Sequence, residues 1–154
     1  AGNLWKPRIY SVGGWIMLAK MLKKANYEVI IVGGPEEKDK NPIIAKKSGA
    51  KYFGIFPFRE FIGLVSLGDI VVSSVTFGFH VAAALNKKIV LLNNTFNKYE
   101  FYYIVENKQG VILEPKVPCL MCYKKDFDHK CVTHNCMDLI SPQEIFDNIK
   151  KLDS

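Results

Sequence analysis

The chain has 154 residues, of which 49% are hydrophobic, so it suits one domain with a packed core. Its net charge of +6 comes from 19 Lys and two Arg scattered along helix faces, which favours a solvated basic surface over an anionic partner. No pattern interleaves aromatic with basic residues, so we do not expect nucleic-acid binding. No apolar run reaches the roughly 20 residues of a membrane span, and the first residues do not resemble a secretory signal, so we do not expect a transmembrane segment.

The predicted elements alternate between helix and strand. Apolar residues at i, i+3, i+4 and i+7 (Trp15, Leu18, Ala19 and Leu22) predict a first helix over about residues 14–25. The alternation continues as strand 28–32, a helix with Asn41 as cap and Pro42 as first helical residue, strand 51–55, helix 58–68, strand 69–74, helix 79–86 and strand 87–93. Strands joined through helices by short links imply a parallel sheet with an α/β fold.

The chain after Asn93 has a less regular pattern, and it ends in a clear helix signal. Ser141, Pro142 and Glu144 form a capping box, with Ser as the cap and Pro at the first helical position. We therefore expect a helix at the C-terminal end of the domain.

The first loop with unusual chemistry is Gly33-Gly34-Pro35-Glu36-Glu37, after strand 28–32. Ligands of parallel sheets bind beyond the carboxyl ends of the strands, and either carboxylate could accept hydrogen bonds from ribose hydroxyls. The turn lacks GxGxxG spacing, so it does not indicate a hydride-transfer dinucleotide site. A plain surface turn with solvated acidic residues is the alternative.

The second loop follows strand 69–74 and leads into a helix expected to start near Phe79. The N–H groups at the start of that helix would form an anion site. Gly78 permits close backbone approach, Thr76 supplies a hydroxyl, and His80 could donate to a phosphate oxygen. A capped turn with a half-buried His satisfied by backbone is the alternative.

Arg8, just before the first helix, provides a third feature. A fixed cation there could bind a diphosphate held at the same anion site, through two parallel hydrogen bonds. A surface Arg without a ligand is the alternative. The three loops together predict a site for a phosphorylated ligand.

The cysteines have the residue types of a tetrahedral zinc site. Cys119 and Cys122 form a CxxC pair, Cys131 and Cys136 are spaced more loosely, and His129 and His134 lie among them. Two disulfides are the competing interpretation and need an oxidising compartment, and free thiols are the third. We interpret the segment as a structural staple.

The order of these pieces resembles the C-terminal half of glycosyltransferase family 9, the ADP-heptose:lipopolysaccharide heptosyltransferases and their relatives. The resemblance covers nearly the whole chain. Its most specific pieces are the Gly33-Gly34-Pro35-Glu36-Glu37 turn, His80 with Ala82-Ala83-Ala84-Leu85, and the cysteine tail.

The resemblance implies one half of a GT-B enzyme, whose two Rossmann-like halves face a cleft and whose C-terminal half binds the nucleotide sugar. Residues 1–118 would then form a Rossmann-like three-layer domain with a parallel sheet, and residues 119–154, with the cysteines and the last helix, would belong to the same domain. The partners implied are a nucleotide-diphosphate sugar, ADP-heptose-like, and a glycan or lipid-linked acceptor bound through an N-terminal half. The location implied is the cytoplasm, either free or peripheral at the inner face of the membrane.

The resemblance also implies roles for single residues. Arg8 would contact the diphosphate, Glu37 or its neighbour Glu36 would hold the ribose beside Gly34, and the base would pack near Phe56, flanked by Ile55 and Pro57. The loop that holds diphosphate and sugar in the family aligns with Thr76, Phe77, Gly78, Phe79 and His80. The family's catalytic base lies in the N-terminal half, so we expect no catalytic residue here and no turnover by this part alone. Transfer would need no metal cofactor, because cations and helix N–H groups neutralise the diphosphate.

Two residues depart from the family pattern. Val75 stands where the family has an acidic residue that faces the sugar, and Phe77 stands where it has a glycine. Either the donor sugar differs, or another group supplies the polar contact, or activity is lost. The function predicted is donor binding in a glycosyltransferase that acts on lipopolysaccharide or another surface glycan. A degenerate, non-catalytic GT-B-like interaction domain, zinc-stapled or not, is the alternative.

Overall fold

A computed structural model describes residues 9–120 and 136–154 of the chain. In chain order its elements are α1 Val12–Lys24, β1 Ile30–Ile31, α2 Asn41–Ser48, β2 Lys51–Tyr52, α3 Phe58–Leu67, β3 Ile70–Ser74, α4 Phe77–Ala84, β4 Lys88–Leu92, α5 Tyr103–Glu106, β5 Gly110–Leu113 and α6 Pro142–Asp153. Short 3-10 turns cover Pro35–Glu37, Lys98–Phe101 and Cys136–Leu139. No helix in these two described stretches has both the length and the apolar content that crossing a membrane requires.

All strand pairs within the described residues are parallel, which confirms the predicted α/β fold. They form a sheet β1-β2 and a sheet β3-β4-β5. β1 and β2 are shorter than the sequence predicts, with two residues each. Val32 and Phe53, directly after them, are exposed, and Gly54 takes a left-handed φ of 99°, so the extended pairing ends there.

The core lies on both faces of β4. Val90 and Leu92 pack with buried residues of α1 and α6, while Ile89 and Leu91 pack with residues of α3 and α4 on the other face. All four side chains are buried, as expected for the central strand of a parallel sheet. Helices therefore cover the sheet from both sides, in the three-layer arrangement that the sequence predicts.

The helix ends agree with the sequence at α6 and differ at α2 and α4. Ser141 Oγ accepts a hydrogen bond from Glu144 N over 3.1 Å, which confirms the predicted cap. α4 begins at Phe77, two residues before its predicted start. α2 begins at Asn41 itself, because Lys40 already has helical dihedral angles, so Asn41 is the first helical residue and not the cap.

The less regular portion contains two elements that the sequence did not predict, α5 and β5. β5 completes the larger sheet beside β4, and its first residue, Gly110, packs so closely that a Cβ there would collide with the Ile89 carbonyl oxygen. The 3-10 turn Cys136–Leu139 and α6 pack on the face of the larger sheet that α1 covers. There Tyr10 Oη donates to Ile140 O over 2.9 Å.

Candidate functional site

The loop between β3 and α4 presents backbone donors at the carboxyl end of the sheet. Thr76 precedes α4 in extended conformation, and its side chain makes no capping hydrogen bond to the helix. Phe79 N and His80 N donate to Thr76 O over 3.1 and 3.4 Å. The N–H groups of Phe77 and Gly78 lie ahead of that first bond and have no intrahelical partner, so they can bind an anion.

Two hydroxyls lie next to each other at this loop. Thr76 Oγ1 and Ser73 Oγ lie 3.2 Å apart, and a Cβ on Gly78 would lie 3.8 Å from the first and 3.9 Å from the second. Thr76 and Gly78, both predicted from the sequence, are thus neighbours. Ser73 is an addition that the sequence analysis did not single out, although it stands at the end of the predicted strand.

His80 lies on the first turn of α4 with an exposed side chain. Its ring centroid is 4.8 Å from that of Phe79 and 6.4 Å from that of Phe101. The aromatic neighbours limit how the imidazole can move, while its exposure leaves it accessible to a ligand. This placement differs from the half-buried His of the alternative interpretation.

The side chains of Val75, Phe77 and Phe79 have different environments. Phe79 is fully buried, so only its backbone can contribute to the site, and Val75 is 6% exposed and packs in the same apolar cluster. Phe77 is 52% exposed, and its ring contacts those of Phe58 and Phe61 on α3 at centroid distances of 5.2 and 5.8 Å. Val75, which the sequence analysis aligned with a sugar-facing acid of the family, is therefore a core residue in this fold.

The glycine turn after β1 folds back on itself. Glu37 Oε2 accepts a hydrogen bond from Gly34 N over 2.9 Å, and the turn Pro35–Glu37 is a single 3-10 turn. Glu36 is exposed and Glu37 is half-buried. The two carboxylates between which the sequence could not choose thus differ in environment, and it is Glu37 that lies against the glycines.

Phe56 lies in the segment between β2 and α3 and is half-buried, whereas Ile55 beside it is exposed. Because Phe58 begins α3 and contacts Phe77, this segment is connected to the loop before α4. Arg8, the predicted diphosphate cation, lies outside the described residues.

The carboxyl ends of β4 and β5 carry polar groups that the sequence analysis missed. Asn93 Nδ2 donates to Glu114 Oε1 over 2.8 Å and to Phe96 O over 2.9 Å, and Lys98 Nζ lies 3.7 Å from Glu114 Oε2. The polar residues that directly follow the apolar strand could have indicated a polar group of the site at Asn93. Glu114 could not be placed, since β5 was not predicted.

Of the four cysteines, Cys122 and Cys131 lie outside the described residues, as do His129 and His134. Cys136 is buried, and Asn94 Nδ2 donates to its Sγ over 3.0 Å, while Cys119 is half-buried. Within residues 9–120 and 136–154, no group of three or more His, Cys, Asp or Glu side chains could hold a metal ion. A zinc site built from all four cysteines stays a prediction.

Parallel strands, helices on both faces and a helix N-terminus at the carboxyl edge define an α/β domain of the Rossmann-like class. The chain belongs to the family described as glycosyltransferase family 9 (heptosyltransferase), whose model matches residues 6–133. The resemblance seen in the sequence is therefore confirmed. A search of curated protein sequences gave no match.

Solved structures support the same fold. E. coli ADP-heptose lps heptosyltransferase II matches with a TM-score of 0.73 and 16% identity, over 99% of this chain and 44% of that chain. E. coli heptosyltransferase WaaC with ADP-2-deoxy-2-fluoro heptose matches with a TM-score of 0.68 and 14% identity, over 94% of this chain and 39% of that chain. WaaC with ADP gives a TM-score of 0.66 at 12% identity, over the same shares of both chains. The chain thus spans about two fifths of these proteins, and at such identities the likeness concerns the fold alone.

Proposed function

We propose that this chain is the part of a glycosyltransferase that binds the nucleotide-diphosphate sugar, an ADP-heptose-like donor. The sugar is transferred to lipopolysaccharide or another surface glycan. The site that binds this acceptor and the catalytic base both belong to a further half of the enzyme. The observation that carries the proposal is the uncapped N-terminus of α4 at the end of β3, with His80 exposed on its first turn. WaaC, of similar fold, has been solved with ADP, which supports the choice of nucleotide.

The chemistry of transfer explains why such a site would act on a diphosphate. When the bond between the sugar and the diphosphate breaks, negative charge grows on the leaving phosphate oxygen. The N–H groups of Phe77 and Gly78 and the imidazole of His80 would stabilise that charge, with Arg8 as a further cation. Donors fixed in place before the reaction lower the barrier without a metal ion.

The ribose and the base of the nucleotide would bind to the loops after β1 and β2. Glu37 beside Gly34 would accept hydrogen bonds from the ribose, and Phe56 would pack against the base. The contact between Phe58 and Phe77 supports this arrangement, because it joins the loop after β2 to the loop after β3. The location proposed is cytoplasmic, free or peripheral at the inner face of the membrane.

One observation favours a second candidate, a non-catalytic interaction domain. Val75 lies in the apolar core, so no carboxylate at this position can contact the sugar, and Phe77 brings a large ring to the mouth of the loop. The exposed imidazole of His80 and the N–H groups of Phe77 and Gly78 argue against this candidate. We therefore place donor binding first.

Calorimetric titration of ADP and AMP tests the proposal. ADP should bind about 5–150 times more tightly than AMP, since the second phosphate adds contacts worth about 1–3 kcal/mol. His80→Ala should weaken ADP by about 5–30-fold, whereas Gln143→Ala, which removes an exposed neutral side chain on α6, should have no effect. Equal affinities for AMP and ADP, or no binding of either at millimolar concentration, would contradict donor binding.

A further inference from the structure

Two buried polar atoms near Gly33 have no hydrogen-bond partner among the residues that the structure describes. They are Glu37 Oε1, an acceptor, and Asn41 Nδ2, a donor. Asn41 is 5% exposed, so water does not replace the missing partner from outside. A buried group without a partner has lost its hydrogen bonds to water and gained none in return, so two such groups in one turn need a physical reason.

Both atoms belong to the segment that joins β1 to α2, and both side chains approach the same glycine. A Cβ on Gly33 would lie 2.5 Å from Asn41 Nδ2 and 3.2 Å from Glu37 Oε2. Because Gly33 has no side chain, the Asn41 amide and the Glu37 carboxylate can both lie close to its Cα atom. Glu37 Oε2 is occupied by Gly34 N, which leaves Oε1 as the open acceptor.

The position of Asn41 excludes its usual structural role. It is the first residue of α2, and neither it nor Lys40 caps that helix by a side-chain hydrogen bond. The amide nitrogen instead lies against Gly33. Its donor is therefore directed to the place where the sequence predicts a ribose contact.

We propose that Asn41 is a second ribose-binding residue, which acts with Glu37 on a vicinal diol; this inference rests on the proposed function. Glu37 Oε1 accepts from one hydroxyl, and Asn41 Nδ2 donates to the neighbouring one. A diol fits the pair because each hydroxyl can both donate and accept. A phosphate would be repelled by Glu37, and a cation would leave the Asn41 donor unpaired.

Ribose reaches these atoms only when the Glu37 carboxylate turns outward about its side-chain torsions. This movement gives up the bond from Gly34 N to Glu37 Oε2, and in exchange the ligand supplies partners for Glu37 Oε1 and Asn41 Nδ2. A single water molecule held between the two atoms is the competing explanation, and it would give no preference for a ribose hydroxyl.

The experiment compares ADP, 2′-deoxy-ADP, 3′-deoxy-ADP and pyrophosphate by calorimetry on the wild type and Asn41→Leu. In the wild type, at least one deoxy nucleotide should bind about tenfold more weakly than ADP. In Asn41→Leu, ADP should fall to the level of that analogue while pyrophosphate affinity stays unchanged. Thermal stability without ligand should be equal or higher, because the variant removes an unpaired buried donor. Asn41→Asp, which keeps the shape but loses the donor, should show the same loss of discrimination, and Asn148→Leu on α6 is the matched control.

The outcomes separate the two proposals. If ADP and both deoxy analogues bind the wild type equally, or if discrimination persists in both Asn41 variants, the diol site is overturned and donor binding stands. If neither ADP nor pyrophosphate binds, donor binding and the diol site are overturned together.

Discussion

The rings of Phe58 and Phe77 contact each other, with centroids 5.2 Å apart and an interplanar angle of 37°. Their side chains are 61% and 52% exposed, so this pair stands at the surface between the start of α3 and the start of α4. Because Phe61 contacts the same ring, Phe77 leans on α3 instead of standing alone over the helix N-terminus. The pair therefore joins the predicted base and diphosphate segments.

This contact leads to a prediction for Phe77→Gly. If the ring rests on α3 and leaves the helix N–H groups accessible, removing it should change ADP affinity by less than about threefold. The variant should lose about 1–2.5 kcal/mol of unfolding free energy, through the ring contact and the freedom of glycine in a helix. Titration and urea denaturation check the two effects, with Phe58→Ala as the control that removes the same contact. ADP binding gained only in Phe77→Gly would instead show that the ring fills the phosphate site.

The burial of Val75 predicts that restoring the family's acidic residue destabilises this chain. Val75→Asp would place a carboxylate in the apolar cluster that contains Phe79 and Ile89, and it should cost roughly 3 kcal/mol or more of unfolding free energy. Val75→Ala, which only removes methyl groups, should cost less, about 1–2 kcal/mol. Burial raises the pKa of the new carboxyl, so its cost should be smaller at about pH 4 than at about pH 7. A variant as stable as Val75→Ala at both pH values would contradict the core position.

Tyr10 predicts an alkaline loss of stability. Burial, followed by the nearby charges of Asp138 and Glu144, raises the pKa of Tyr10 from 10.0 to about 12. The native state thus keeps a proton that the unfolded chain loses first, so this contribution is complete below about pH 10 and falls away as the pH rises to about 12. The loss should be about 1–3 kcal/mol.

The measurement is the difference in unfolding free energy between wild type and Tyr10→Phe from about pH 10 to about pH 12. Lysines titrate in the same range in both proteins, so their contribution cancels in the difference. Tyr10→Phe should cost about 1 kcal/mol near neutral pH, through the lost bond to Ile140 O, and this deficit should shrink as the pH rises. Tyr99→Phe, at an exposed ring, is the control. Parallel curves for wild type and Tyr10→Phe would refute the assignment.

The cysteine segment predicts a cluster of Cys119, Cys122, Cys131 and Cys136. Metal analysis after denaturation should find about one zinc per chain, or mass spectrometry should find two disulfides. Because Cys136 is buried, we expect its thiol to react slowly with alkylating reagents. Rapid alkylation of all four thiols in the native protein would remove both versions.

The sequence by itself determined the elements whose signals are local. The i, i+3, i+4 spacing gave α1, the capping box gave α6, and the alternation of β-branched runs with helices gave the parallel α/β fold. The chain order of the short motifs also led to the family, since such motifs need no knowledge of contacts. β5 was missed because only three of its four residues are apolar, which is too short a run to show a period.

Only the tertiary structure decided which side chains of the loops face outward. Val75 and Phe79 turn into the core while Phe77 leans on α3, and this depends on how α3, α4 and β4 pack, not on spacing along the loop. The same holds for the polar pairs: Asn93 meets Glu114 because parallel strands bring their carboxyl ends to one edge, and Asn41 meets Gly33 because the chain folds back after β1. Local periodicity fixes an element, but the partners of a side chain come from distant parts of the chain, and packing alone selects them.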